Sequence, residues 1–163
     1  MQEMVKFGSE ASCHFEEVSS YCKKHHIKER GKVFQELSNI REIFSLNFQM
    51  VENNFGTKLR SVASHGDFVN RRLKIINNEI TRDDALRERL GIEVEAYDKI
   101  LMDSFDIYIS DKGYPMFWHP ANPIEFVKNC NIVCILTHPR NLGRSIVSNI
   151  KQNITRVMEE ISW

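Results

Sequence analysis

Neither sign of charge prevails in this chain: 22 lysines and arginines balance 22 aspartates and glutamates. Without a basic surplus, the general electrostatic argument for nucleic acid or an anionic membrane surface is missing. Long apolar runs are missing too. Spanning a bilayer takes roughly 18 to 20 mostly apolar residues, and no stretch approaches that length. The opening MQEMVKFGSEASCHFEE has neither the basic start nor the apolar core of a secretory signal, so a cytoplasmic location is expected. Cysteine is scarce: the four, at 13, 22, 130 and 134, show no Cys-x-x-Cys spacing. That argues against a zinc ribbon or a disulfide framework and leaves buried free thiols as the expectation. Repeats, low-complexity tracts and linkers are also absent.

What remains is a sequence able to bury one core. With 163 residues, 42% of them hydrophobic and 10% aromatic, a single globular domain over 1–163 is expected. Short strands alternate with longer helices along it. MVKFGSEASCH (4–14) reads as a strand ending in a loop at His14, followed by a helix around EEVSSYCKKHH. In residues 31–56, Val33, Leu37, Ile40, Phe44, Phe48 and Val51 recur every three or four positions, the stripe of a helix lying on a core, with Gly56 as its stop. KLRSVASHG (58–66) reads as a strand. In TRDDALRERLG, Thr81 is placed to cap a short helix that Gly91 ends. FDIYISD (105–111) alternates as a strand, MFWHPANP reads as a loop, IEFVKNC as a short helix, and NIVCILTHP (131–139) as the clearest buried strand. RSIVSNIKQNITRVMEEI completes the chain as an amphipathic helix.

Apolar strands alternating with helices predict an α/β fold with a parallel sheet, open or closed as a barrel, and such folds carry their sites at the carboxyl ends of strands. His14, His65 with Asp67, Asp111 and His138 all fall where an expected strand gives way to a loop. Four strand ends facing one cleft would suit a divalent metal: imidazole and carboxylate ligands hold zinc while a water position stays open, and that water's pKa falls toward about 7. Other first-row metals suit such ligands nearly as well. A further histidine would protonate the leaving group. Two plainer readings stand beside this one: a histidine at a strand end serves as a hydrogen-bonded structural residue, and Asp67, after Gly66, satisfies backbone donors in its turn. His25 and His26, within KKHHIKER, read as a solvated polar face, and His119 as a loop residue.

The same stretches carry a family resemblance. GSEASCHFEE (8–17) resembles a motif of the NodB-like polysaccharide deacetylases, in which a glycine precedes a metal-binding histidine by six positions; ILTHP (135–139) resembles their last motif. ASHGDFVNR and DIYISDKGYPMFW are similar to a divergent branch found among surface-polysaccharide biosynthesis proteins. The resemblance runs from about Gly8 to about Leu142. It implies a partial or distorted (β/α) barrel, His14 as a metal ligand and His138 as the histidine that protonates the departing group. His65 has no set counterpart in the better-known members, and it is its turn that makes it the second ligand candidate. Asp67 would orient or supplement His65, while Asp111 and Trp118 would line the substrate end.

The chain departs from that family at two points. The second histidine expected four positions after the first is Val18 here, and nothing before Gly8 supplies the acidic motif that opens the family's first barrel strand. A barrel lacking its first strands would expose a parallel edge, to be covered by a missing N-terminal segment or a partner chain. The function expected is that of a metal-dependent, deacetylase-like hydrolase of acetylated sugars in polysaccharide biosynthesis. The alternative is a non-catalytic remnant of that fold which binds a saccharide or a partner chain.

Overall fold

In Ser12–Phe15 the side chains alternate, Cys13 and Phe15 buried and Ser12 and His14 exposed, which makes this segment strand β1. β1 pairs in parallel with β2 (Ser61–Ser64), and β2 in parallel with β3 (Val94–Glu95). The computed structural model describes residues 10–112, 117–138 and 146–163. Residues 4–9 of the first expected strand, and the start of the expected terminal helix at 144 and 145, lie outside those. The chain falls into two compact units, Met1–Asp98 and Lys99–Trp163.

The first unit holds most of the core. After β1 come α1 (Glu17–His25), α2 (Arg30–Gln35) and α3 (Leu37–Phe55). The single helix expected over 31–56 is therefore two, parted at Glu36, whose φ of −91° and ψ of 0° leave the helical region. No glycine or proline marks that break. Glu36 instead accepts hydrogen bonds from the Tyr21 hydroxyl (2.8 Å) and Asn39 Nδ2 (2.7 Å), and periodicity cannot register a tertiary contact. Ile40, Phe44 and Phe48 are wholly buried, and Phe44 packs between Phe15 and Phe48 at ring-centre distances of 4.9 and 5.9 Å. Gly56 closes α3 at φ 63°, a left-handed conformation that favours glycine.

Two further helices complete this unit. α4 (Phe68–Leu73), which periodicity does not signal, follows directly on β2 and its turn. α5 (Asp84–Leu90) is capped by Asp83, whose Oδ1 accepts from Leu86 N at 3.0 Å; the expected cap, Thr81, is buried and donates to the Asn78 carbonyl instead. Gly91 ends α5 at φ 71°, as expected.

In the second unit a four-residue helix, α6 (Lys99–Met102), precedes β4 (Ile107–Lys112). β4 is central, antiparallel to β5 (Phe117–His119) and parallel to β6 (Val133–Leu136). β5 was expected as loop, and its strand character comes from pairing with β4 rather than from its own alternation. β6 is only partly covered: Ile135 is 44% exposed, where a buried strand was expected. IEFVKNC contributes only a 3-10 turn at Pro123–Glu125, and α7 (Ile146–Ser162) forms the terminal helix. The described residues thus form a mixed α/β architecture with two three-stranded sheets. No helix among them is long and apolar enough to cross a membrane.

Candidate functional site

Register brings two of the candidate histidines together. His14 pairs with Ala63 across β1 and β2, so both side chains lie on one face of the sheet, and His65, two positions on from Ala63, returns to that face. The ladder continues one step beyond β2, His65 N donating to the Phe15 carbonyl at 2.7 Å. The two imidazoles meet edge to face with ring centres 4.9 Å apart. His14 is exposed and borders an open cleft of about 310 Å3 with Glu16, Glu17, Tyr21, Lys24 and Asn47. His65 borders another of about 510 Å3 with Ser64, Asn77, Asn78, Arg82 and Tyr97. The pair thus touches both clefts.

Two imidazoles bound to one tetrahedral ion through metal–nitrogen bonds of about 2.0–2.1 Å hold their ring centres roughly 5 Å apart; those of His14 and His65, 4.9 Å apart with their planes at 74°, match that separation. Among the described residues, no group of three or more metal-ligating side chains gathers.

Asp67 takes a different post from the one expected. It is the N-cap of α4: its Oδ1 accepts from Val69 N at 2.9 Å, and Asn70 Oδ1 accepts from Asp67 N at 2.9 Å, a reciprocal capping box. Its Oδ2 lies 2.7 Å from Lys23 Nζ on α1. This is the plainer of the two sequence readings, a carboxylate serving donors in its own turn.

The turn bearing His65 is held by buried polar groups that periodicity gives no reason to single out. Asn77, 1% exposed, donates from Nδ2 to the His65 carbonyl and to Asn70 Oδ1. Glu95 is equally buried, and its carboxylate accepts from Ser64 N (2.9 Å) and Tyr97 N (2.7 Å), tying the end of β2 to the chain after β3. The signal available in the sequence was the pair of asparagines at 77 and 78.

The second unit contains a carboxylate–imidazole pair. Asp111, at the end of β4, is buried; its Oδ2 accepts from His138 N at 2.7 Å and its Oδ1 lies 2.5 Å from His138 Nδ1. Against an ionised Asp111, which only accepts hydrogen bonds, Nδ1 would carry the hydrogen in that contact and Nε2 would be the ring atom left to exchange a proton. His138 follows β6 by two residues, and β6 runs parallel to β4, which aligns the two strand ends. Asp111, expected at the substrate end, instead orients a histidine. Trp118 stands opposite it in register on β5 and is half-buried. The candidate residues are accordingly gathered as two pairs, one in each unit.

Burial pushes the Cys13 and Cys22 thiols up to about 11, with Glu17 adding to the effect at Cys13. Neither is a nucleophile at neutral pH. Cys130 and Cys134, expected to be buried, are half-exposed. Comparison with family models, with curated proteins and with solved structures finds no match.

Proposed function

We propose that this chain is a polysaccharide deacetylase-like hydrolase that uses a divalent metal, zinc by preference, on acetylated sugars. The observation that carries the reading is the imidazole pair, His14 and His65, at the carboxyl ends of adjacent parallel strands and at a spacing suited to one ion. These two residues would hold the metal, which when bound supplies a Lewis acid and an activated water. The chain's own part is then to fix the two imidazoles and to deliver a proton. In the second unit, taken by itself, His138 suits proton transfer, because Asp111 holds its Nδ1 and leaves Nε2, in one tautomer, as the atom that would give a proton. The half-exposed imidazole lies within reach of solvent for reprotonation, while the carboxylate behind it is fully covered.

Metal content and acetate release, measured on the same samples with chito-oligosaccharide and acetylxylan, test this. The protein should bind zinc and release acetate from both substrates. His14→Ala should lose the ion. His138→Ala should keep it and lose turnover. Metal content unchanged by His14→Ala and His65→Ala alike would remove the metal site, and with it the proposal.

A further inference from the structure

We infer that Asn77 is a positioning residue for the His14–His65 pair, joining the two histidine-bearing segments through one buried carboxamide; the inference rests on the proposed reading of that pair as a metal site. Helix α1 begins two residues after β1, and Glu16 at its N-cap makes no side-chain capping bond. Its first-turn N–H groups therefore need outside acceptors. Asn77 Oδ1 accepts from Ser19 N at 3.2 Å, so a residue far along the chain caps the helix that follows His14. The other end of the same carboxamide donates to the His65 carbonyl and, at 3.1 Å, to Asn70 Oδ1.

Only one orientation of the amide serves these partners, since the Oδ1 end meets a donor and the Nδ2 end meets two acceptors. Asn70 extends the web: its Oδ1 also accepts from Asp67 N, and its Nδ2 donates to the Ile75 carbonyl at 2.9 Å. Asn77 and Asn70 are 1% and 6% exposed; their bonds to Ser19 N, to the Ile75 carbonyl and to each other are buried, and those to the His65 carbonyl and Asp67 N are part-buried. A buried network with each member partnered holds one arrangement, and losing one member strands the rest. The segments after both β1 and β2 thus depend on one side chain, whose hydrogen bonds go to Ser19 N, the His65 carbonyl and Asn70.

Zinc alone is the probe. Partners outside the ligand shell are worth about 10- to 100-fold in metal affinity, so Asn77→Ala should weaken zinc binding at least about tenfold and diminish the nuclear Overhauser effect between the His14 and His65 rings. Asn77→Asp keeps an acceptor for Ser19 but cannot donate to the His65 carbonyl, and should weaken binding as well. Leu86→Ala, a core truncation outside the web, should lower the melting temperature and leave both readouts alone; equal changes in that control would show that general loosening is responsible. Wild-type affinity with an intact ring–ring effect in either Asn77 variant overturns the inference. Should neither variant fold, titration of the wild type decides: zinc must shift the Asn77 Nδ2 protons, and their indifference overturns it. Absence of zinc binding by the wild type sinks the metal reading instead, and the ring–ring effect in the metal-free variants still judges Asn77.

Discussion

The imidazoles of His14 and His65 lie edge to face, 4.9 Å between ring centres, on neighbouring parallel strands whose register puts both on the same side of the sheet. His14 is exposed, so its removal is expected to change ion binding far more than folding. In His14→Ala the free energy of unfolding should stay within about 0.5 kcal/mol of wild type, with zinc content lost. Chemical denaturation and elemental analysis of the same preparation check the two halves of this expectation.

Asp111 and His138 supply the second prediction. In Asp111→Ala, the imidazole loses its orienting acceptor and His138 N loses a bond as well. General acid–base groups contribute about a hundredfold to ten-thousandfold in rate, so under the proposed reading acetate release should fall toward that range while zinc content is preserved. Simultaneous loss of zinc would show that the pair supports the ion rather than the proton.

The Phe44 ring, wholly buried between Phe15 and Phe48, anchors α3 to β1. Phe44→Ala should cost about 3–5 kcal/mol, and Lys24→Ala, on the exposed side of α1, less than about 0.5 kcal/mol. Equal denaturation midpoints for the two variants would mean that the stripe on α3 is not core.

Acid should weaken the first unit through Glu52. Burial raises the pKa of this carboxyl, but Lys58 and the N–H of Leu59 outweigh that effect and hold it below its ordinary value of 4.5. A carboxylate depressed in the folded state binds fewer protons there than in the unfolded chain. Its stabilisation is therefore complete above that ordinary value, the one it has in the unfolded chain, and is lost as pH falls through the lower folded one. Glu52→Gln should flatten the acid limb of a stability–pH curve, measured by urea unfolding at each pH.

Thiol reactivity should follow burial. Cys13 and Cys22, raised to about 11, should resist iodoacetamide at neutral pH in the native protein, whereas half-exposed Cys130 should alkylate first. Peptide mapping after a short exposure reads the order directly; early labelling of Cys22 would contradict the packing of α1.

Periodicity and stop signals carried much of the fold: the apolar stripe on α3, the glycines ending α3 and α5, and the strands around Val62 and Ile109 are all legible because each follows from local chemistry. What escaped was tertiary in origin. The break at Glu36 depends on Tyr21, β3 exists only by pairing with β2, and β5 only by pairing with β4. For the candidate site, His14 and His65 were legible as strand-end residues, because register is a short-range rule. Asp67 has the capping post that its Gly-Asp turn also suggested, and the link from Asp111 to His138 needed the sheet order to bring β4 beside β6. Asn77 was invisible as a connector, since no pattern tells which buried carbonyl an amide will meet.

Ile109 is the one buried apolar side chain of the second unit among the described residues, whereas the first unit buries Phe44, Phe48, Ile40 and many others. Cooperative opening concentrates where few apolar groups are covered. Deuterium should accordingly enter the amides of β4 and β6 long before those of β1 and β2, and mild denaturant should part His138 from Asp111 while the imidazoles of His14 and His65 stay in register.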